Sequence, residues 1–104
     1  DTHPVFLHAH RIRASFALQG GDLASAEREL RVAVSGFEKA DPSGVNLAIA
    51  RSELAAVRMR QGHRDDARAL LSPALPVLRQ ALLPTEVSRA AAEVVATAAG
   101  FGQS

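Results

Sequence analysis

Cysteine is absent from this 104-residue chain, and so are tryptophan and tyrosine. Without thiols there is no disulfide, no thiolate nucleophile and no cysteine-ligated zinc, and nothing in cysteine usage speaks to compartment. With four phenylalanines as the only FWY aromatics, no stacking residues are interleaved with basic ones, so a nucleic-acid partner is not expected. A charge imbalance is lacking too. Formal net charge is +1 with 22% charged residues, which provides no electrostatic footprint. Lysine is scarce: eleven of the twelve basic residues are arginine and only Lys39 is lysine, a bias read as background rather than as phosphate recognition. No run of about eighteen apolar residues occurs and no charged-then-apolar leader opens the chain, so neither a membrane span nor a signal peptide is expected. The default expectation is a cytoplasmic chain, and any segment upstream of Asp1 lies outside this sequence. A start at Asp1-Thr2-His3-Pro4 without methionine leads us to expect a piece of a longer protein, with 1–104 as one domain.

What is present is helix-forming. Ala, Leu, Arg, Glu and Gln dominate, and β-branched runs are missing, which predicts an all-α fold of five helices. The first runs from His3-Pro4 to Gln19 with a stripe of Val5, Ala9, Ile12 and Phe16, and stops at Gly20-Gly21. Asp22 caps a second helix to Lys39 that carries Leu23, Ala26, Leu30, Ala33, Val34 and Phe37 on one side. After Asp41-Pro42-Ser43-Gly44 a third runs to Gln61, with Leu47, Ile49, Ala50, Leu54, Val57 and Met59 forming a face broad enough to be sandwiched. A fourth starts between His63 and Asp66 and meets Pro73 and Pro76, so a kink is expected near Ser72. Leu83-Pro84-Thr85 ends it, and a fifth spans Glu86 to Ala99 before a tail, Gly100 to Ser104, that is expected to fray.

Two stretches say nearly the same thing. Gly21 and Gly62, Ala26 and Ala67, Leu30 and Leu71, and Ala33 and Ala74 are each separated by one offset, 62 − 21 = 41, and a fixed period of that size marks a repeat architecture. The pair Leu54-Ala55 recurs as Val95-Ala96 at the same spacing. The expectation is an α-solenoid of antiparallel helix hairpins, with repeat 1 over 3–40, repeat 2 over 43–82 and a capping helix over 85–99. As a terminal cap, the fifth helix is expected to turn Arg89 and Glu93 to solvent.

These residues resemble the tetratricopeptide repeats, in the longer kinesin-light-chain-like form found in bacterial signalling and regulatory proteins. Leu54-Ala55 stands for the family's Leu-Gly pair, Gly62 for its turn glycine, and Ala67, Leu71 and Ala74 for the signature of its second helix. Asp1-Thr2-His3-Pro4 resembles the opening of such units. The family's Trp and Tyr positions fall on Arg51 and Arg58, and the first helix departs from the pattern. Counting back from Gly21 puts Arg13 where the family has Leu. With Gly20 as the turn glycine, Ala9, Ile12 and Phe16 take the apolar positions and Arg13 the small one, and this second register is preferred. The resemblance implies about two and a half repeats. It also implies a concave groove on the first helix of each hairpin, lined by Ile49, Ser52, Ala56, Met59 and Arg60, and flanked by His10, Ala14 and Leu18 and by Glu93 and Thr97. Met59 and Leu18 would anchor a helix or extended peptide there, with Arg60 and Arg51 reading an acidic group.

No constellation points to catalysis, a metal or another cofactor. His8 and His10 lie two apart, so on a helix they diverge and cannot ligate together as an i, i+4 pair can. His63, Asp65 and Asp66 suit a helix N-terminus, where carboxylates complement the dipole. Gly20-Gly21-Asp22 lacks the lysine and strand of a phosphate-cradling loop, and no serine sits in a nucleophile-elbow context. Arg11, Arg13, Arg51, Arg58, Arg60 and Arg64 form the one cluster that suits partner carboxylates, against the plainer reading of a solvated helix face.

The expected function is therefore non-catalytic recognition of a peptide or helix of a partner protein. The alternatives are self-association into a homodimer through the first and fifth helices, and service as an accessory domain fused to an upstream enzyme such as a protein kinase or to a transcriptional regulator. Ala67→Glu is expected to unfold the array, because Ala67 stands where helix axes must approach closely. A thermal midpoint and circular dichroism unchanged from the parent would refute that assignment.

Overall fold

The computed structural model describes residues 3–101. The chain is all-α, and the described residues form α1 (Pro4–Gln19), α2 (Leu23–Ala40), α3 (Val45–Arg60), α4 (Arg64–Ala81) and α5 (Val87–Ala98). Each start has a local cause. Pro4 occupies the first helical position of α1, and the His3 Nδ1 accepts from the Val5 amide at 3.2 Å. Asp22 caps α2, its carboxylate accepting from the Ser25 amide at 3.0 Å and from the Ser25 hydroxyl at 2.6 Å. Among the described residues no helix is long and apolar enough to cross a membrane.

Three helices end in the same way. Gly21, Gly62 and Gly100 sit at φ 79°, 84° and 98°, the left-handed region that side chains resist. The following amide closes a six-residue turn each time: Asp22 donates to the Ala17 carbonyl, His63 to Arg58 and Phe101 to Ala96, all at 2.8 Å. The turn glycine of the first hairpin is thus Gly21, while Gly20 keeps an ordinary φ of −84°. This corrects the preferred register. Arg13 takes the position that Leu54 holds in α3, and Ala14 that of Ala55.

Helix α1 accordingly buries Leu7 and Ala14, not the expected stripe. Val5, Ile12 and Phe16 are 65%, 58% and 68% exposed, and Ala9 is half-buried. Leu7 seats directly over Gly36 of α2, where a Cβ would run into its methyls. The core divides in two around α3. Leu47, Ala50, Leu54 and Val57 join Leu7, Ala14, Leu30, Val34 and Phe37 on one side. Ala48 and Ala55 join Ala67, Leu71, Ala74, Leu78, Ala92 and Ala96 on the other. Each helix packs on the next in order, and α5 lies against both α3 and α4.

Two further expectations concern α4 and the tail. Helix α4 is continuous from Arg64 to Ala81, with Pro73 and Pro76 inside it. Pro73 and Pro76 lie on its exposed side, as do Ala69 and Ser72, the residues whose carbonyls a proline cannot serve, so the positions that lack a helical donor are on the solvent side. At the other end, Gly100 and Phe101 are tied down: Arg64 Nε and Arg68 Nη1 donate to the Ala99 carbonyl at 3.1 and 2.6 Å, and the Arg68 guanidinium lies 4.8 Å from the Phe101 ring centre. The rest of the tail expected to fray, Gly102 to Ser104, lies outside the described residues, as do Asp1 and Thr2.

The turn geometry separates adjacent glycines. Gly21→Ala is expected to destabilise by about 1 kcal/mol, since a Cβ at positive φ is strained, whereas Gly20→Ala is neutral or slightly stabilising. Chemical denaturation of both variants checks this, and equal losses would return the turn to Gly20.

Candidate functional site

An apolar cleft lies where α1, α3 and α5 converge. It holds about 170 Å³, and its walls are Leu18 from α1, Ile49, Ser52, Glu53 and Ala56 from α3, and Val87, Ser88, Ala91, Ala92 and Val95 from α5. Small side chains on α3 and α5 keep it open. Ser52 is buried at 5% exposure and turns its hydroxyl back to the Ile49 carbonyl at 2.7 Å, so it offers the cleft little unmet polarity. The rim is closed by a bidentate ion pair, Arg11 Nε to Glu53 Oε1 at 2.7 Å and Nη2 to Oε2 at 3.1 Å, which also ties α1 to α3.

Of the residues expected to line the groove, Leu18, Ile49, Ser52 and Ala56 come together in this cleft. The other five stand apart. His10 turns to α2, its Nδ1 lying 2.6 Å from Glu29. Met59 is half-buried against the second core, and Arg60 is exposed beyond it. Glu93 is held by Arg79 of α4 through two bonds of 2.8 Å, and the exposed Thr97 returns its hydroxyl to the Glu93 carbonyl. Arg89 likewise turns inward, donating to the Leu82 carbonyl at 2.8 Å. The expectation that Arg89 and Glu93 face solvent is thus corrected: the outer surface of α5 is Val87, Ala90, Val94 and Ala98.

The α5 wall escaped the repeat count for a definite reason. The first two turn glycines are 62 − 21 = 41 apart, but the next is 100 − 62 = 38 away. Counting on by 41 from Ser52 and Ala56 lands on Glu93 and Thr97. The three-residue shortening rotates the helix by about 60°, which brings Val87, Ala91 and Val95 forward instead. The spacing of those residues, four and four, was a signal available in the sequence.

The arginines do not assemble into a groove. Arg58 is the centre of a network linking three helices, with Nε 2.6 Å from Asp66, and Nη1 2.7 Å from Gln61 and 3.3 Å from Glu27. Arg31 completes it, 2.7 Å from Glu27 and 3.5 Å from Asp66. Arg51 pairs with Glu38 at 3.0 Å, Arg64 serves the Ala99 carbonyl, and Arg13 and Arg60 remain at the surface. The histidines diverge as their spacing requires: His8 packs edge-on to the Phe37 ring at 5.4 Å, away from His10. Among the described residues no three His, Asp or Glu side chains converge as ligands of a metal would.

Three carboxylates are held below their ordinary range. Hydrogen bonds from Arg31 and then Gln61 lower Glu27, the bond from Arg79 lowers Glu93, and the Ser25 hydroxyl and amide lower Asp22. A depressed folded-state value means that the stabilisation is present at neutral pH and is lost as pH falls through the carboxylate range. The ordinary values are 4.5 for Glu27 and Glu93 and 3.8 for Asp22, so the thermal midpoint is expected to hold above that window and fall below it. Glu93→Gln is expected to cost under about 1 kcal/mol at neutral pH, because the pair is half-exposed, and to flatten the acid limb. An acid limb indifferent to this substitution would remove the Arg79 pair from the account. Set beside known proteins, the chain stands on its own geometry: no protein-family model, no curated protein and no solved structure matches it.

Proposed function

We propose that the chain is a non-catalytic, tetratricopeptide-like interaction module that takes an apolar helix or extended segment of a partner protein into the cleft between α1, α3 and α5. The observation that carries this reading is the cleft itself, an apolar trough built from three separate helices with Leu18, Ile49, Ala56, Val87, Ala91 and Val95 as its surface. Apolar concavities rimmed by polar groups are where proteins bury the anchors of a partner. Alanines on α3 and α5 let a guest backbone approach closely, and Leu18 and Val87 offer aliphatic contacts at the two edges. Specificity for apolar anchors follows from the walls, because the nearby ionic groups are already paired. Arg11 satisfies Glu53, and Ser52 is bonded internally, so a charged guest side chain would find no free counter-charge in the floor. The 41-residue period and the common turn geometry of Gly21 and Gly62 support the repeat-family reading, in which such a module serves as the scaffold or signalling adaptor of a larger bacterial-type regulator, and fusion to an upstream enzyme is one form this takes.

A displayed library of 16-residue peptides selected on this chain should yield binders with one apolar face. Ala91→Glu, at an exposed position that leaves the core alone, is expected to weaken them by about tenfold or more, and Met59→Ala with Arg60→Glu to leave them unchanged. Methyl shifts at Leu18, Ile49, Val87 and Val95 should report the contact. Binders that tolerate Ala91→Glu, or that shift only residues elsewhere, would remove the cleft from the proposal.

A further inference from the structure

We infer that the cleft admits a single side chain of the partner, neutral and of leucine to phenylalanine size, at the place where the neighbouring seam of the repeat is bridged by this chain's own Arg11 and Glu53. This rests on the proposed interaction module and specifies what its partner presents. The repeat sets two seams side by side. Subtracting 41 carries the α3 wall of the cleft, Ile49, Ser52, Glu53 and Ala56, onto His8, Arg11, Ile12 and Ser15 of α1. Those four, with Glu53 of α3, line a separate hollow of about 230 Å³ between α1 and α3. Across the next interval, 100 − 62 = 38, Glu53 itself is carried to Ala91 of α5. The cleft and the hollow are therefore the same feature one layer apart, each with a helix of this chain on both sides.

What differs is the bridge. In the first seam Arg11 crosses from α1 and meets Glu53 in two hydrogen bonds, with its Nη1 also 3.0 Å from His8 Nδ1. In the second seam the two bridge positions are Ser52 and Ala91, which hold only a hydroxymethyl and a methyl group. Among the described residues no ion pair or side-chain hydrogen bond joins α3 to α5, and the polar ties of α5 to other helices run to α4 and its C-terminal end. Room and polarity follow from that exchange. About 170 Å³ is left open, close to the apolar cavity of about 150 Å³ that takes one benzene ring, so the space suits one side chain rather than a row of them. With Ala91 in the place of Glu53 the seam has no free carboxylate to meet a cation, and Arg11 is already held, so a charged anchor would be buried unpaired. An aliphatic or phenyl group between Ile49, Ala56, Val87 and Val95 joins α3 to α5 by apolar contact, where Arg11 joins α1 to α3 by charge. Leucine, methionine and phenylalanine fit that space, alanine leaves it open, and an indole exceeds it.

Benzene tests the pocket without any partner. Titrated to millimolar concentration into the whole chain, it should shift the methyls of Leu18, Ile49, Val87 and Val95 saturably, as one site, and leave those of the buried Leu30 in place. Ser52→Arg with Ala91→Glu rebuilds the bridge of the first seam, and the double variant is expected to keep the parent's circular dichroism, to melt above either single variant and to lose the benzene shifts. Should it fail to fold, Ala91→Leu, at an exposed position, fills the same space from the α5 side and removes the shifts in its place. In helical peptides that bind the cleft, alanine replacement should weaken binding about tenfold or more at one apolar position and about threefold or less at the others. That position should accept leucine, methionine and phenylalanine and reject tryptophan, lysine and aspartate. Benzene shifts that never saturate, shifts that persist in the folded variants, losses shared evenly among several peptide positions, or an anchor position that takes lysine would each overturn the inference. If no peptide binds while benzene does, the interaction-module reading falls and the size and neutrality of the pocket stand. If peptides bind through several anchors, the single-side-chain pocket falls and the module reading stands.

Discussion

The packing of this chain depends on α3 burying two faces at once. Adjacent residues divide the work: Leu54 enters the core shared with α1 and α2, and Ala55 enters the one shared with α4 and α5. A helix can do this only if its two apolar stripes differ in size, with leucine and valine where the neighbour stands off and alanine where it comes close. Leu47, Leu54 and Val57 fill the first side, while Ala48 and Ala55 meet Ala67, Ala74 and Ala92 on the second. The two cores are coupled through one backbone.

Arginine takes the part of a strut rather than a reader. Arg11, Arg51 and Arg58 each join helices that meet along narrow seams, and each is half-buried with its planar fork set against a carboxylate. The stems lie along apolar surface while the guanidinium reaches across the seam, something the compact lysine ammonium does less well. Arg64 and Arg68 extend the same habit to backbone, taking up the Ala99 carbonyl at the end of α5. In a chain of balanced charge these arginines hold its own helices together.

Much of this was legible in the residues. Glycine and proline punctuate the chain so clearly that the five helices fall within a residue or two of their expected bounds, and Asp22 caps as its type predicts. The alanines repeated at 41, Ala26, Ala33, Ala67 and Ala74, are all buried. Helix α1 was less legible because it is apolar all round, with Phe6, Leu7, Ile12, Phe16 and Leu18 spread over its whole circumference, so periodicity alone does not choose a side. Only the backbone of the turn does, and Gly20-Gly21 offers two glycines for one left-handed position. The cleft was half legible. Its α1 and α3 walls follow from the period, but α5 is rotated by the shortened interval between Gly62 and Gly100, and only the four-and-four spacing of Val87, Ala91 and Val95 announces that change. The ion pairs were the least legible, since Glu27 and Arg58 are 31 residues apart and meet only once the hairpins stack.

Pro73 and Pro76 carry a consequence for what can gather around this molecule. Their missing amides leave the Ala69 and Ser72 carbonyls without a helical donor along the back of α4. Any protein surface laid over that back would strand two acceptors in a dry contact, at a cost of about 1–3 kcal/mol each, unless it brought donors of its own. The proline pair thus acts as a standing veto on one side of the molecule.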